Sequence, residues 1–436
     1  MPVKAYSGFT TSLDELLLEA AETPWSSELR KRIAHALDGQ AAAELRRSVP
    51  LEALRADGIF FTSSDLARRA VQNLLPTFRP DSVILDPACG AGNLLIACAA
   101  GLPVAQEHKE TLRLWGSCLA GRELHPELVE TARRRLLLSS LVLHAEGSAS
   151  DPVDTNGAFP GLRSHCGLTD HQIIAAATHI VMNPPFGMIP APSNCSWGAG
   201  KVNMAALFVE TVLLSARPGA RIAAILPEVL RSGSRYRKWR DLVSARARFE
   251  RIEILGRFDQ WTDVDVFLLE LKVLGPGEDP GRLSWREAER PSSGCIGDHF
   301  ESCIGPVVDY RDPHRGPLHP FIHSRDLPPW KTVREIPRRR HFEGRVLAPP
   351  FVAIRRTSRP GDRHRAIGTL IAGPKPIAVE NHLIVLRPKD GKVRSCRELL
   401  GVLKDERTTH WLDERIRCRH LTVTALDELP WWSSAP

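Results

Sequence analysis

Residues 83–92 read Val-Ile-Leu-Asp-Pro-Ala-Cys-Gly-Ala-Gly, a short apolar run that ends in a glycine-rich turn. A helical pattern follows from Asn93 to Ala100, so the segment predicts a strand, a tight turn and the start of a helix. Glycines let the backbone approach a ligand closely, and a helix N-terminus favours a carboxylate. The turn has neither the Gly-x-Gly-x-x-Gly of a dinucleotide-binding loop nor the Gly-Lys-Ser/Thr of a phosphate-binding loop. It therefore indicates a nucleotide-type site of another kind.

The sequence around this turn alternates between β-rich runs and helical stretches from Val83 to about Leu274. The predicted strands are residues 83–85, 119–123, 141–143, 180–182, 222–226, 252–255 and 266–273. Such alternation is typical of an α/β fold with a doubly wound, Rossmann-like parallel sheet. Ligands of these sheets bind at the carboxyl ends of the strands, which is where the glycine turn falls.

The chain divides into three predicted parts. Residues 1–57 form an N-terminal helical segment, because apolar residues recur there with a period near 3.6. Residues 58–278 contain the strand–helix alternation and form the predicted catalytic domain. After Gly275-Pro276-Gly277 proline, arginine, histidine and tryptophan become frequent, so residues 279–436 are predicted to form a separate C-terminal domain of mixed structure.

The composition narrows the class of protein. The 436-residue chain is 43% hydrophobic and 25% charged, which is typical of a soluble globular protein. Its apolar runs fall short of the roughly 20 residues of a membrane span, and the N-terminus has no signal-peptide core, so we expect a cytoplasmic location. The nine cysteines include no Cys-x-x-Cys pair and no zinc set with nearby histidines. We therefore expect reduced thiols and no metal site.

A second motif, Asn183-Pro184-Pro185-Phe186, directly follows the predicted strand at 180–182. The Asn183 side-chain carbonyl and the backbone carbonyl of Pro184 can accept two hydrogen bonds from one exocyclic amino group. The two prolines stiffen the loop and remove competing backbone donors. The aromatic ring of Phe186 can stack on a planar base. The motif therefore predicts a site that holds an aromatic amine while a methyl group is delivered to it.

Acidic residues at strand ends are candidates for the rest of a nucleoside site. Glu123 ends the predicted strand 119–123, where a carboxylate can bind both ribose hydroxyls. Asp151, or Ser148 in the same turn, follows the strand predicted at 141–143 and could meet an adenine amino group. A plain polar turn explains Asp151 and Ser148 equally well.

The motifs together resemble a known family. Their order is Phe60-Phe61-Thr62, the turn at 86–92, Glu123, the motif at 183–186 and then a basic C-terminal region. This order resembles the γ-class amino-methyltransferases of restriction–modification systems, and within them the N6-adenine DNA methyltransferases. The resemblance covers roughly residues 55–275 with specific motifs, and the C-terminal third only by position and length.

The resemblance implies a cofactor and a role for each motif. The cofactor is S-adenosylmethionine, and no metal is needed. Its methionine part would be held by Thr62, Asp86, Pro87, Ala88 and Gly90, its ribose by Glu123 and its adenine by Asp151. The target amine would be bound by Asn183, Pro184, Pro185 and Phe186. Phe258 or Trp261 would pack against the flipped base, although either ring could instead belong to the core.

Three positions depart from the family pattern. Ser63 stands where many relatives have proline, Ala91 where many have serine or threonine, and Phe186 where tyrosine is commoner. Stacking on a base survives the change at Phe186. None of the three departures removes a catalytic atom.

Arginines concentrate between Lys331 and Arg365, with few opposing acids. A charge run is usually a solvated face, but arginine suits bidentate contacts to phosphate and guanine. We therefore predict a DNA target-recognition domain in residues 279–436, with Arg355, Arg356 and Arg363 as candidate DNA contacts.

The predicted function is a site-specific DNA methyltransferase that modifies the N6 amine of a flipped-out adenine. Its partners would be double-stranded DNA and a cognate restriction endonuclease or defence-system subunits. The alternatives are N4-cytosine methylation, methylation of an RNA base or a protein glutamine, and a catalytically silent DNA-binding subunit. A nuclease-like Asp…Glu-x-Lys pattern at Asp265, Glu270 and Lys272 is rejected, because strand alternation alone explains it.

Overall fold

The computed structural model describes residues 6–144, 157–262, 264–281, 285 and 294–432. The chain forms two compact units, one of residues 1–230 and 236–283 and the other of residues 231–235 and 284–436. The N-terminal helical segment and the strand–helix region therefore belong to the same unit. Among the described residues, no helix is both long and apolar enough to cross a bilayer. All nine cysteines are free.

The first unit begins with four helices whose apolar stripes are buried, as their period of 3.6 predicts. These are α1 (Ser7–Glu22), α2 (Ser27–Leu37), α3 (Gln40–Ser48) and α4 (Leu51–Asp57). The other helices of this unit are α5 (Ser64–Val71), α6 (Asn93–Ala99), α7 (His108–Cys118), α8 (Pro126–Leu143), α9 (His171–Ala176), α10 (Met204–Ser215) and α12 (Arg237–Arg246). Helix α11 (Glu228–Ser232) spans the point where the chain passes from the first unit to the second.

A seven-stranded sheet forms the centre of this unit. Its strands are β1 (Ile84–Asp86), β2 (Leu119–Glu123), β3 (Leu162–Ser164), β4 (His179–Met182), β7 (Arg221–Pro227), β8 (Ala247–Arg257) and β9 (Asp265–Val273). The order across the sheet is β3-β2-β1-β4-β7-β9-β8. The five strands from β3 to β7 are parallel, and β9 runs antiparallel to both of its neighbours. The α/β prediction is confirmed, with a mixed sheet in place of a wholly parallel one.

The strand predicted at residues 141–143 is wrong. These residues form the last turn of α8, and the strand that pairs with β2 is instead β3. An apolar run of three residues fits a buried helix as well as a strand, and here it continues the period of α8. The correction moves the carboxyl end of the third strand from residue 143 to residue 164.

The two motifs meet because their strands are neighbours. The glycine turn follows β1, the Asn-Pro-Pro-Phe motif follows β4, and β1 pairs with β4 in parallel. Parallel neighbours end at the same edge of a sheet, so both motifs lie at one edge. After the second motif, strands β5 (Met188–Pro190) and β6 (Lys201–Asn203) form a small antiparallel hairpin.

The second unit has two smaller sheets and its own apolar cores. The five-stranded sheet contains β10 (Phe300–Ile304), β12 (Thr332–Val333), β14 (Phe351–Arg355), β15 (Gly368–Ile371) and β17 (Leu383–Pro388). The three-stranded sheet contains β11 (Leu318–Ile322), β13 (Arg339–His341) and β16 (Ala378–Val379). Its helices are α13 (Ile296–His299), α14 (Val393–Lys404), α15 (Glu406–Arg415) and α16 (Val423–Asp427). Apolar side chains of α14, α15 and α16 pack with those of β14, β15 and β17 in one of these cores.

Candidate active site

A cavity enclosing about 940 Å³, part of it open to solvent, lies at the carboxyl ends of β1, β2 and β4. Eight of the predicted site residues line it: Thr62, Asp86, Pro87, Ala88, Gly90, Glu123, Asn183 and Pro185. Residues more than 120 positions apart in sequence are thus brought to one place by the sheet.

The glycine turn is shaped by its backbone. Gly90 and Gly92 have φ angles of 49° and 83°, in the left-handed region that favours glycine. A Cβ atom on Gly90 would lie 2.8 Å from the Phe61 ring, so glycine also lets that ring pack against the turn. The preceding segment 58–62 therefore forms one wall of the cavity.

Two carboxyl groups lie in this cavity, that of Asp86 buried and that of Glu123 half-buried. Asp86 is 2% exposed, and its Oδ1 accepts a hydrogen bond of 3.0 Å from the backbone N–H of Ala88. Burial raises the pKa of Asp86 to about 8; the Ala88 amide opposes the rise and the nearby charge of Glu123 adds to it. Burial also raises the pKa of Glu123, against the effect of backbone donors that include His125 at 3.0 Å. A cationic ligand that touched both groups would favour their charged forms.

The amide of Asn183 is held in one orientation. Its Nδ2 donates to the Thr62 hydroxyl at 2.9 Å and to the Phe60 carbonyl at 3.3 Å. A carbonyl oxygen can only accept, so the NH2 group must face Phe60 and the Oδ1 atom must face away. Asn183 thus has a carbonyl oxygen that can accept a hydrogen bond from a ligand.

The rest of the Asn-Pro-Pro-Phe loop is fixed by neighbouring backbone. The N–H of Phe186 donates to the Gly58 carbonyl at 3.1 Å, and its carbonyl accepts from Asn203 Nδ2 at 2.8 Å. Gly58 has a φ of 68°, and a Cβ there would lie only 2.2 Å from the Gly187 nitrogen. The loop is therefore packed directly on the end of α4.

The two candidate stacking aromatics have different surroundings. The Phe258 ring lies 5.8 Å from the Phe186 ring, with an interplanar angle of 85°, and 6.5 Å from the Phe60 ring. The Trp261 side chain is 38% exposed and has the Arg46 guanidinium over its ring at 5.2 Å. The structure brings Phe258, and not Trp261, into ring contact with the Asn-Pro-Pro-Phe motif.

Sequence reasoning missed some of the cavity wall. Leu124 lines the cavity and is 64% exposed. Its position directly after Glu123 is the feature of the sequence that could have identified it. His165 and Cys166 follow β3 and also line the cavity, but the misplaced third strand concealed them. Asp151, assigned from that misplaced strand, lies outside the described residues.

The arginines of the second unit fall into two groups. Arg340 and Arg365 are 2% and 0% exposed, and each pairs with a carboxylate, Asp309 and Asp413 respectively. The prediction that Arg340 and Arg365 lie on a phosphate-binding surface is therefore wrong. Their ion pairs stabilise the fold of the second unit instead. Of the three candidate DNA contacts, Arg363 is exposed, whereas Arg355 and Arg356 are half-buried. The Arg355 guanidinium donates to the Leu327 carbonyl at 2.7 Å.

Residues 50–230 match the family model described as N-6 DNA Methylase. The match covers less than half of the chain. It contains the glycine turn, Glu123 and the Asn-Pro-Pro-Phe motif, so the matched region includes the wall of the cavity. No curated protein matches the chain significantly.

Several solved structures are similar to this chain. MmeI, a type IIL restriction-modification enzyme in complex with DNA, is 11% identical over 89% of this chain and 70% of its own, with a TM-score of 0.56. The type IIG restriction endonuclease BpuSI is 13% identical over 89% of this chain and 60% of its own, with a TM-score of 0.47. A modification subunit assigned to a type I restriction enzyme of Vibrio vulnificus YJ016 is 19% identical over 57% of this chain and 49% of its own, with a TM-score of 0.41. This chain thus spans about half the length of the Vibrio subunit, and the likeness to MmeI shows a shared fold.

Proposed function

We propose that this methylase transfers a methyl group from S-adenosylmethionine to the N6 amine of an adenine in double-stranded DNA. The observation that carries the proposal is the orientation of Asn183. Its NH2 group is held by Thr62 and Phe60, so its carbonyl oxygen is left to accept a hydrogen bond at the edge of the cavity. An exocyclic aromatic amine is the donor that this acceptor suits.

The amine is oriented by two acceptors. The Asn183 Oδ1 and the Pro184 carbonyl each accept one N–H of the amine, which directs the nitrogen lone pair toward the cofactor side. Positioning does most of the work, because two held reactants no longer need to meet in solution. A strong general base is unnecessary, since the surplus proton leaves after the transfer.

The base reaches the site by leaving the duplex. An adenine inside the helix cannot present its amine to the cavity, so it flips out at a cost of a few kcal/mol. Phe186 and Phe258 meet edge to face at 5.8 Å, and together they offer a ring surface for the extruded base. Stacking on aromatic side chains contributes about 1–3 kcal/mol per base, which offsets the cost of flipping.

The cavity fits S-adenosylmethionine by its charge and shape. The sulfonium of this cofactor makes its methyl group electrophilic. Asp86 is a buried acid and Glu123 a half-buried one, and a cationic nucleoside would bring both to their charged forms. Glu123 binds the ribose hydroxyls, and the exposed side chain of Leu124 covers one side of the adenine. The glycine turn and Thr62 hold the methionine part.

The second unit binds the DNA around the target base. Arg355, Arg356 and Arg363 contact the phosphate backbone or base edges, and the buried pairs of Arg340 and Arg365 keep their loops in shape. The likeness to MmeI, which was solved in complex with DNA, supports this assignment. The protein acts as the modification component of a restriction–modification or related defence system, with a cognate nuclease or further subunits as partners.

The test is tritium transfer from labelled S-adenosylmethionine to unmethylated duplex DNA, followed by mass spectrometry of the digested nucleosides. Wild type is compared with Asn183→Ala and with Asn194→Ala, an exposed asparagine outside the cavity. We expect N6-methyladenine from wild type and Asn194→Ala, and a loss of at least about a hundredfold in Asn183→Ala, the range found for an essential transition-state contact. N4-methylcytosine would change the base and keep the mechanism. Cofactor binding without transfer to DNA would overturn the proposal.

A further inference from the structure

A chain of hydrogen bonds connects the N-terminal helices to Asn183 through side chains of the first unit. It begins at Arg135 of α8, which is fully buried, with 0% exposure. The Arg135 guanidinium donates to the carbonyls of Ala36 at 2.9 Å and Leu37 at 2.8 Å, at the C-terminal end of α2. These are orphan carbonyls that a helix end leaves without partners.

The same guanidinium also reaches the glycine turn. It donates to the Ala91 carbonyl and to the Oδ1 of Asn93, the first residue of α6. Asn93 in turn donates through Nδ2 to the backbone carbonyl of Thr62. The side-chain hydroxyl of Thr62 then accepts a hydrogen bond from Asn183. Four side chains thus form one path, which we name the amide relay: Arg135, Asn93, Thr62 and Asn183.

The direction of every bond in the amide relay is determined by its partners. A guanidinium can only donate, so the carbonyl oxygen of Asn93 must face Arg135. The Thr62 backbone carbonyl can only accept, so the amide NH2 of Asn93 must face Thr62. At the far end, the Phe60 carbonyl gives Asn183 the same constraint. The amides of Asn93 and Asn183 therefore admit one orientation each.

We propose that Arg135 and Asn93 are positioning residues that hold Thr62, and through it the acceptor carbonyl of Asn183, in place for the target amine. The inference rests on the proposed function. Arg135 is absent from the cavity wall, whereas Ala91 and Asn93, to which it donates, both line the cavity, so its effect on the reaction passes through these two residues. Burial lowers the pKa of Arg135 to about 10, which leaves it charged at neutral pH.

The orientation matters because the reverse arrangement cannot bind the substrate. If the segment that carries Phe60 and Thr62 moved away, the Asn183 amide could turn and present its NH2 group to the incoming amine. Two donors would then face each other, and the hydrogen bond that orients the lone pair would be lost. A defect in the amide relay therefore lowers the rate of methyl transfer more than it lowers the affinity for cofactor.

The decisive variant is Asn93→Asp, because it is nearly isosteric and breaks one bond only. One carboxylate oxygen still accepts from Arg135, and the other faces the Thr62 carbonyl, where two acceptors repel. We expect kcat to fall about tenfold, the loss of one hydrogen bond. We expect any loss of cofactor affinity to be smaller than the loss in kcat, and the repulsion between the two acceptors to lower the thermal unfolding midpoint. Asn194→Asp makes the same chemical change at an exposed site and serves as the matched control.

Arg135→Lys is the second variant. The guanidinium of Arg135 has four acceptors: two carbonyls of α2, the Ala91 carbonyl and Asn93 Oδ1. A single ammonium group cannot reach all four, so kcat and the thermal unfolding midpoint should both fall. A wild-type kcat in Asn93→Asp, or a fall in kcat matched by an equal loss of cofactor affinity, would overturn the relay while leaving the proposed function intact. If wild type itself transfers no methyl group, the proposed function fails, and this inference fails with it.

Discussion

At the scale of single residues, the Asp86 carboxyl gives the stability of this protein a defined pH dependence. Its pKa is raised to about 8 in the folded protein, whereas an unfolded chain releases that proton near pH 4. Between these values the unfolded state binds fewer protons than the folded state. The free energy of unfolding therefore falls as the pH rises through this window.

Asp86→Asn tests this effect, because the amide is neutral at every pH. The stability of wild type relative to the variant should decrease from pH 5 to pH 8, by up to about 1.4 kcal/mol per pH unit, and level off above pH 8. Thermal or urea unfolding at a series of pH values measures the difference. A difference that is independent of pH would show that Asp86 is ionised in the free protein.

Phe258 and Trp261 are only three residues apart, and they should behave differently. Because Phe258 contacts Phe186, Phe258→Leu should lower kcat/KM for DNA roughly 5- to 100-fold. This loss corresponds to the stacking free energy of about 1–3 kcal/mol between one base and one aromatic ring. Trp261→Leu, which changes an exposed ring, should lose much less. Fluorescence of 2-aminopurine at the mapped target position would report base flipping directly. Equal losses in the two variants would contradict the assignment of Phe258.

At the scale of elements, the end of α4 positions the Asn-Pro-Pro-Phe loop. A Cβ on Gly58 would lie 2.2 Å and 2.5 Å from the backbone nitrogens of Gly187 and Phe186, so Gly58→Ala must displace the Asn-Pro-Pro-Phe loop. Displacements near 1 Å at a reacting group cost on the order of 10²-fold in rate, and we expect a loss of roughly 10- to 100-fold in kcat.

Gly219→Ala is the control for backbone strain. Gly219 also has a left-handed φ, of 83°, but nothing lies within 4 Å of its Cβ position. The Gly219→Ala variant should lose about 1–2 kcal/mol of stability and keep the wild-type kcat. Steady-state kinetics and thermal unfolding of both variants separate the two effects, and a wild-type kcat in Gly58→Ala would refute the role of this contact.

Element boundaries show where local pattern was insufficient. The glycine turn, Ser63 as the cap of α5 and the start of α6 at Asn93 were predictable, because each depends on a few adjacent residues. Residues 141–143 were predicted as a strand and are helical. Three consecutive apolar residues fit the period of a helix and that of a strand equally well. Only the pairing of β3 with β2 shows which segment completes the sheet. The assignment of Asp151 depended on that error.

At the scale of the whole molecule, the arginines of the second unit divide between binding and folding. Arg363 is exposed, and Arg365, two residues later, is buried against Asp413. Arg363→Ala should weaken DNA binding, reduce the slope of log affinity against log salt by about one, and leave the unfolding midpoint unchanged. Arg365→Ala should instead cost about 3–5 kcal/mol of stability, because it breaks a buried pair. Fluorescence anisotropy at several salt concentrations and thermal unfolding measure the two effects, and an unchanged salt slope in Arg363→Ala would exclude it as a phosphate contact.

The sequence by itself determined the α/β class, the order of the motifs and the residue types proposed to hold an amine and a cationic nucleoside. These features follow from side-chain period and turn chemistry over a few neighbouring residues. Tertiary structure alone decided that Phe258 meets Phe186, that Arg340 and Arg365 are buried, and that Arg135 connects α2 to the glycine turn. These contacts join residues tens of positions apart. Burial and pairing depend on which distant segments the fold brings together, and no local pattern carries that information.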